Sequence, residues 1–192
     1  SFAAVVLARA PRERTVDAPL VARATYITDS TGQRLRVHRY TRIASSSLIG
    51  DRLLLDLVEP ERIMSFSPFT QADSPIFHRF GRKPQVDARG DVERLVAMRP
   101  DLLVINEIVD PSRIARLRRG GLVVADLGPM RGMRTLRQSI TMLATLVAEP
   151  ERGAAILAQF DRRVRLLSSR TPPGRKLYVI LEGRIRISRN VP

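Results

Sequence analysis

The feature that most constrains the fold is the alternation of strand-like and helical patterns between Arg42 and Ile105. Three strand-like runs in this stretch each end in small, polar or aromatic residues next to a helical pattern. Alternation with short connections predicts right-handed βαβ units and a mostly parallel sheet. In an open parallel sheet, ligands bind beyond the carboxyl ends of the strands. The residues after Ala44, Ser65 and Ile105 are therefore expected to surround a binding site.

Turn residues and apolar periodicity extend this prediction along the chain. Residues 29–32 separate two alternating runs and predict a small hairpin. Pro111 follows Asp110, a good helix N-cap, and marks the start of a helix. An amphipathic pattern from residue 150 to 168 predicts a helix of about five turns. The predicted helices span 49–58, 71–80, 91–98, 111–119, 132–148 and 150–168, and further strands cover 122–125 and 176–181.

Length and composition limit the number of domains. A chain of 192 residues, 44% of them hydrophobic, can bury one good core, so we expect one domain, or one domain with a partial second. The sequence predicts a three-layer, Rossmann-like α/β lobe with a mostly parallel sheet, followed by a long helix and the first strand of another unit. The predicted divisions are a leader segment at 1–24, the lobe at 25–148, the long helix at 149–169 and the partial unit at 175–192.

The positive charge of the chain leaves two explanations open. The net charge is +14 and the sequence pI is about 11.6, which favours anionic partners. Clustered arginines are typical of a basic module that binds nucleic acid or another polyanion with strong salt dependence. Solvated helix faces explain the same charge, and no helix-turn-helix or zinc-finger pattern is visible. The clustered arginines are Arg113, Arg116, Arg118, Arg119, Arg131, Arg134 and Arg137.

Residues suited to catalysis or metal binding are scarce. The chain has no cysteine, which excludes disulfides, thiolate metal sites and cysteine nucleophiles. His38 and His78 form no metal motif; His78 could approach a haem iron, but a surface or capping role is commoner for such a histidine. The serines at 45–47 have no histidine in a recognisable relation. The sequence therefore predicts a binding protein rather than an enzyme, without a cofactor.

The start of the chain has some features of an export signal. Residues 1–10 form a short apolar run that ends in small residues, like the tail of a secretory signal, and the run is too short to span a bilayer. A disordered or strand-like leader is the alternative. Residues 11–24 contain two prolines and several charges, and they predict a flexible approach segment.

Several motifs resemble, in their order and spacing, one family of transport proteins. The sharpest match lies at residues 91–93 (Asp-Val-Glu) and 98–104 (Met-Arg-Pro-Asp-Leu-Leu-Val), which is similar to a signature of asparagine-leucine-glutamate followed by leucine-arginine-proline-aspartate-leucine-valine. Over residues 25–182 the chain resembles the amino-terminal lobe of the periplasmic substrate-binding proteins that deliver ferric siderophores, cobalamin or haem to an ABC importer. The other matching segments are the opening hairpin at 29–37, the first strand at 42–47, the second strand at 61–64 and the interlobe helix at 149–168.

The resemblance implies capture of a ligand in a cleft between two lobes, in the periplasm and without catalysis. The implied ligand is a metal chelate, with an anionic ferric siderophore favoured and cobalamin or haem as alternatives. The implied partner is the membrane permease of an ABC importer, and no nucleic acid is expected. Arg89 would pair an acidic group of the chelate unless it is only solvated, and Phe69 either offers an aromatic face or belongs to the core. The residues implied to line the cleft are Ser46, Ser47, Leu48, Phe69, Gln71, Arg89, Asn106 and Glu107.

The chain also departs from the family pattern. The family usually has a proline after the serine and a threonine-glutamate pair at the start of the first helix, where this chain has Leu48 and then Asp51-Arg52. Residues 79–83 are basic where some members present acidic docking residues to the permease. Only the first strand of a second lobe is visible, so we expect the isolated chain to bind ligand weakly or not at all.

Overall fold

The computed structural model of the protein describes residues 25–70, 83–106 and 110–170. In these ranges a four-stranded parallel sheet and a two-stranded antiparallel hairpin are accompanied by five α-helices. The strands are β1 (Tyr26–Thr28), β2 (Arg34–Arg36), β3 (Ile43–Ser45), β4 (Ile63–Ser65), β5 (Leu102–Ile105) and β6 (Val124–Asp126). The helices are α1 (Leu48–Leu57), a 3-10 turn (Pro60–Arg62), α2 (Val92–Met98), α3 (Pro111–Arg119), α4 (Met133–Leu146) and α5 (Pro150–Arg170).

The sheet is buried on both faces, which confirms the predicted three-layer α/β lobe. Successive side chains of a strand point to opposite faces. In β5, Leu102 and Val104 belong to one apolar cluster and Leu103 and Ile105 to the other, and all four are fully buried. The first cluster includes residues of α1 and α4, and the second includes residues of α2 and α3. Burial on both faces explains why β5 is a continuous apolar run in the sequence.

The order of the parallel strands is β4-β3-β5-β6. The chain passes from β3 to β4 on one side of β3, and the later strand β5 pairs with the other side of β3. The direction of winding therefore reverses between β3 and β5. In open α/β sheets such a reversal leaves a crevice at the carboxyl ends of the two strands, and ligands bind there.

The predicted hairpin is present and is built around one buried aspartate. Asp29 accepts hydrogen bonds from the amides of Thr31 and Gln33 at 2.9 Å each, which closes the turn between β1 and β2. Its second oxygen accepts a bond of 3.2 Å from the amide of Asp126 at the end of β6. The same carboxylate thus shapes the turn and attaches the hairpin to β6, the outermost strand of the sheet.

The matching signature at residues 98–104 includes the start of β5 and the residues before it. It lies where the parallel strands begin, which is called the amino edge of the sheet below. Arg99 ends α2 in the left-handed conformation, with φ of 49°, and Pro100 stops the helix from continuing. Asp101 then accepts bonds from the amides of Thr41 and Arg42 at 2.7 and 2.9 Å, immediately before β3. These residues align β5 with β3 at the edge opposite the crevice.

Helices α4 and α5 lie antiparallel and very close together. A Cβ atom placed on Gly153 would lie 2.4 Å from Cβ of Ala144, so only glycine permits this approach. Farther along, Nη2 of Arg137 lies 2.5 Å from Oδ1 of Asp161. With 21 residues α5 is about 31 Å long and extends past the start of the shorter α4.

Two of the boundaries that differ from the prediction have a local cause. Strand β6 begins at Val124 rather than at residue 122, because the amide of Leu122 still bonds the carbonyl of Leu117 and closes the end of α3. Helix α4 ends at Leu146 rather than at residue 148, since Ala148 adopts a left-handed φ of 62°. The predicted helix at 71–80, the strand at 176–181 and the leader at 1–24 lie outside the described residues.

In the ranges 25–70, 83–106 and 110–170, no helix combines the length and the apolar character required to cross a membrane.

Candidate ligand-binding site

The crevice between β3 and β5 is bordered by two buried serines. Ser46 donates its amide to the carbonyl of Val104 at 2.9 Å, and its Oγ accepts a bond of 2.7 Å from the amide of Ala88. Ser47 is the N-cap of α1, and its Oγ accepts the amide of Gly50 at 3.1 Å. Each hydroxyl keeps its own proton for a further partner. The serines therefore build the edge of the crevice and are already engaged within the lobe.

Leu48 and Asn106 occupy the same edge in different ways. Leu48 begins α1 and is half-buried. Asn106 follows β5 directly, and its side-chain amide donates to the carbonyl of Gly128 in the loop after β6. Gly128 has a φ of 72°, and a Cβ atom there would lie 2.7 Å from Cβ of Ser30. Asn106 thus ties the loops after β5 and β6 together at the carboxyl edge.

Phe69 and Arg89 lie against each other although they belong to different segments. Phe69 follows β4 and is 48% exposed, so it is not part of the core. The guanidinium carbon of Arg89 lies 4.8 Å from the centre of the Phe69 ring, a cation–π arrangement. The two residues are joined because Phe66 and Gln85 form a parallel bridge, which brings the segment before α2 alongside the end of β4.

Arg89 is also held by a carboxylate. Its Nε donates to Oδ1 of Asp87 at 3.1 Å and its Nη2 donates to Oδ2 at 3.0 Å. The hydrogen bond from Arg89 holds the pKa of Asp87 below its ordinary value. Arg89 is therefore a fixed, partly neutralised cation whose side chain is still 54% exposed. It is neither a freely solvated arginine nor an unpaired positive charge.

Asp51 is a buried charge-bearing residue near this edge that sequence reasoning did not include among the site residues. It lies in the first turn of α1, 1% exposed, and accepts bonds from the amide and the hydroxyl of Ser67 at 3.0 and 2.5 Å. The hydroxyl of Thr70 donates to the same oxygen. Burial raises the pKa of Asp51, and the hydrogen bonds from Ser45, Ser67 and Thr70 oppose that rise. One signal in the sequence could have identified this residue: Asp51-Arg52 stands where the family usually has a threonine-glutamate pair.

Of the residues expected to line the cleft, Ser46, Ser47, Leu48, Phe69, Arg89 and Asn106 all lie in segments that border the carboxyl ends of β3, β4 and β5. Gln71 and Glu107 lie outside the described residues, as does His78. His38 has its ring edge-on to Tyr40, with 5.5 Å between centroids, on the segment before β3. In the described part of the chain, no three acidic or histidine side chains are grouped so that they could hold a metal ion.

The arginine cluster on α3 is largely used within the lobe. Arg113 lies 3.5 Å from Asp110, and Arg116 lies 2.6 Å from Glu93 of α2. Arg118 approaches the buried Asp29 at 3.7 Å and donates to the carbonyl of Val124 at 3.5 Å. Three of the four arginines of this helix therefore have acidic partners, which reduces the positive charge that the surface offers to a polyanion.

The fold and the edge together define a doubly wound α/β binding lobe with its crevice at the reversal of winding. Residues 54–183, about two thirds of the chain, match the family model described as periplasmic binding protein. The chain belongs to this periplasmic binding protein family, whose members are binding proteins rather than enzymes. Among curated proteins, none is similar enough in sequence to count as a match.

Solved structures share the fold at low sequence identity. A possible iron-binding, periplasmic solute-binding protein from Staphylococcus epidermidis is 18% identical, with a TM-score of 0.61, and covers 72% of this chain and 54% of its own. A periplasmic heme-binding protein from Pseudomonas aeruginosa is 19% identical, with a TM-score of 0.55 and coverages of 68% and 46%. The molybdate periplasmic binding protein MolA from Haemophilus influenzae, solved with molybdate, is 13% identical, with a TM-score of 0.65 and coverages of 76% and 53%. The chain spans about half the length of these structures.

Proposed function

We propose that this chain forms the amino-terminal lobe of the periplasmic substrate-binding component of an ABC importer, and that it captures a metal chelate at the carboxyl edge of its sheet. The membership of the chain in the periplasmic binding protein family supports the transport role. The names of structurally similar proteins mention iron, heme and molybdate as bound species. The reversal of winding between β3 and β5 supports the position of the site.

The observation that carries the proposal is the exposed pair of Phe69 and Arg89. A metal chelate needs an aromatic or apolar surface for its organic part and hydrogen-bond donors for its acidic groups. Phe69 offers one ring face beside the guanidinium, and Arg89 keeps Nη1 for an acidic group while Asp87 holds Nε and Nη2. The pair combines both requirements at one point of the crevice. Ser46, Ser47, Leu48 and Asn106 border the same crevice, and Gln71 and Glu107 complete the proposed lining.

The favoured ligand is an anionic ferric siderophore, with haem and cobalamin as the alternatives. The net charge of +14 favours an anionic ligand over a neutral one. Because Asp87 neutralises part of the charge of Arg89, the preference for anions at this point is moderate. Aromatic contact with Phe69 then contributes more to the selection of the ligand, and catecholate and porphyrin rings both satisfy it.

Tight capture would require an opposing lobe that covers the crevice and excludes water. Helix α5 is proposed to connect the two lobes, because it extends beyond α4 and presents Leu166, 53% exposed, past the body of the lobe. We expect the chain joined to a complete second lobe to bind about a thousandfold more tightly than the 192-residue chain, roughly 4 kcal/mol. Equal affinities would contradict a cleft between two lobes.

The test is a titration of the chain joined to a complete second lobe with a panel of ferric siderophores, haem, cobalamin and a short duplex DNA, the DNA at two salt concentrations. The proposal predicts saturable binding of one chelate that tolerates salt. Phe69→Ala should weaken it roughly tenfold. Tyr26→Ala is the matched control, since Tyr26 is also about half exposed and has Arg34 4.3 Å from its ring, but lies on the hairpin. Binding of DNA alone, lost at high salt, would instead favour the basic interaction module.

A further inference from the structure

The turn that carries Phe69 is held at both ends by one carboxylate. Ser67 and Thr70 are the first and last residues of a four-residue turn, closed by a bond of 3.3 Å from the amide of Thr70 to the carbonyl of Ser67. Both end residues are buried, and both bond Asp51. The two central residues, Pro68 and Phe69, are exposed. Asp51 therefore fixes the ends of the turn, while Phe69 at its tip lies against Arg89.

The carboxylate itself stands on a rigid part of the lobe. Asp51 follows Gly50 in the first turn of α1, and a Cβ atom on Gly50 would lie 2.9 Å from both Oγ of Ser45 and Cγ1 of Val104. The start of α1 is thus tightly fitted against β3 and β5. Through its hydrogen bonds, Asp51 holds the turn after β4, 16 to 19 positions later in the chain, against the start of α1.

The far side of the turn is restrained as well. The side-chain amide of Gln85 donates to the carbonyl of Thr70 at 2.9 Å, and the amide of Val86 donates to the carbonyl of Phe66 at 2.9 Å. The turn therefore lies between α1 and the segment that leads to Arg89. With both sides held, Phe69 has a defined place next to Arg89 before any ligand is present.

We infer that Asp51 is a positioning residue of the ligand site, which holds the Ser67–Thr70 turn so that Phe69 is preorganised at the edge of the crevice. Asp51 itself is buried and does not touch the ligand. This inference rests on the proposed function for its effect on affinity, whereas its effect on the turn can be measured without any ligand. Preorganisation lowers the entropy cost of binding, so the loss of Asp51 should weaken binding even where Phe69 is retained.

The ligand-free test uses a reporter at the turn. The chain has no tryptophan, so Phe69→Trp introduces a single tryptophan, whose fluorescence can be excited selectively over that of the three tyrosines. In that background, Asp51→Asn keeps the size of the side chain and removes its charge. Thr70→Val removes only one donor and covers the case in which the first variant fails to fold. Asp56→Asn, on the exposed side of the same helix, is the matched control for charge.

We expect Asp51→Asn and Thr70→Val to make the tryptophan more accessible to a neutral quencher and to lower its anisotropy, while Asp56→Asn leaves both unchanged. Hydrogen exchange at the amide of Ser67, which donates to Asp51, should accelerate about tenfold in Asp51→Asn. A turn that is equally ordered in all of these variants would overturn the inference.

The ligand test is a double-mutant cycle between Asp51→Asn and Phe69→Ala, with the chelate that binds in the panel. If Asp51 acts through Phe69, each single change should lower affinity, and Asp51→Asn should add little once Phe69 is absent. A general structural defect would instead add its full effect in the absence of Phe69, which would contradict the positioning role. If the chain joined to a complete second lobe binds none of the chelates, the proposed function fails, and the quenching and exchange results still decide the role of Asp51 in the turn.

Discussion

Nη1 of Arg62 lies 2.6 Å from Oε1 of Glu149, which joins the start of β4 to the residue just before α5. Arg62 is 4% exposed, and its Nε and Nη2 donate to the carbonyls of Tyr40 at 2.7 Å and Val147 at 2.8 Å. All three nitrogens of the guanidinium therefore have partners, one on the segment before β3 and two on the connection between α4 and α5. The arginine fixes the point from which α5 leaves the lobe.

Arg62→Lys should destabilise the protein although the charge is kept. A lysine is a single point donor and cannot reach the acceptors that the fork of Arg62 connects, so buried carbonyl groups lose partners. We expect a loss of about 2 kcal/mol or more in the free energy of unfolding, measured by urea denaturation. Arg39→Lys is the matched control, because Arg39 pairs with the same Glu149 but is 61% exposed in its side chain. Equal losses in the two variants would show that burial of Arg62 does not matter.

Glu59, in the same region, makes the stability of the fold depend on pH. A hydrogen bond from its own backbone amide, followed by the bond from Arg62 and the charges of Arg152 and Arg39, lowers the pKa of Glu59 from 4.5 to about 2. A carboxyl group whose pKa is lower in the folded protein than in the unfolded chain stabilises the fold at pH values above its ordinary pKa. This contribution is lost as the pH falls towards the lowered pKa. Stability should therefore decline between about pH 4.5 and pH 2. Glu59→Gln should make this decline shallower, whereas Glu61→Gln, at an exposed position nearby, should not. Identical pH profiles for Glu59→Gln and the unchanged chain would refute the role of Glu59.

Gly153→Ala tests the close contact between α4 and α5. Alanine favours helix formation over glycine by about 1 kcal/mol, so an uncrowded site would be stabilised. Here the added methyl group would meet Ala144, and overpacking of this kind costs about 1 to 3 kcal/mol. We expect a net loss in thermal stability. Adding Ala144→Gly should restore part of it by removing the opposing methyl group, and a more stable Gly153→Ala single variant would contradict the contact.

Asp101→Ala tests the amino edge, where the family signature lies. The variant removes the acceptor for the amides of Thr41 and Arg42, so β3 loses its alignment with β5 at its first residue. We expect a cost of about 1 to 3 kcal/mol in urea denaturation, compared with a change near zero for Asp56→Ala on the exposed face of α1. Ligand affinity measured well below the unfolding transition should be unchanged, since this edge is opposite the crevice. A loss of affinity without a loss of stability would place the ligand elsewhere.

The order of strands and helices could be predicted from the sequence because it depends on local patterns. The continuous apolar run from Leu102 to Ile105 predicts a buried strand, and Asp110 with Pro111 predicts the start of α3. The burial of the sheet between two layers of helices follows from the alternation of strands and helices along the chain. Deviations arose at Leu122 and Ala148, where a helix end and a left-handed residue decide the boundary.

Contacts between distant side chains could not be predicted in this way. Phe69 and Arg89 were each proposed by position, but nothing in either segment indicates that they stack or that Asp87 holds the arginine. Arg62 and Glu149 are 87 positions apart, and their pairing depends on where α4 ends. Such contacts follow from the packing of the whole lobe rather than from periodicity.

The most direct test of the account is the location of bound chelate on the lobe. Amide signals of the isotope-labelled chain would be followed by NMR while a ferric tris-catecholate is added, with its gallium counterpart as the diamagnetic control. Paramagnetic broadening reports proximity even when binding is weak. We expect broadening at residues 46–48, 66–70 and 87–90, with residues 99–101 and 147–149 at the opposite edge unaffected. Broadening centred on the arginines of α3, with residues 46–48, 66–70 and 87–90 unaffected, would contradict this location of the site.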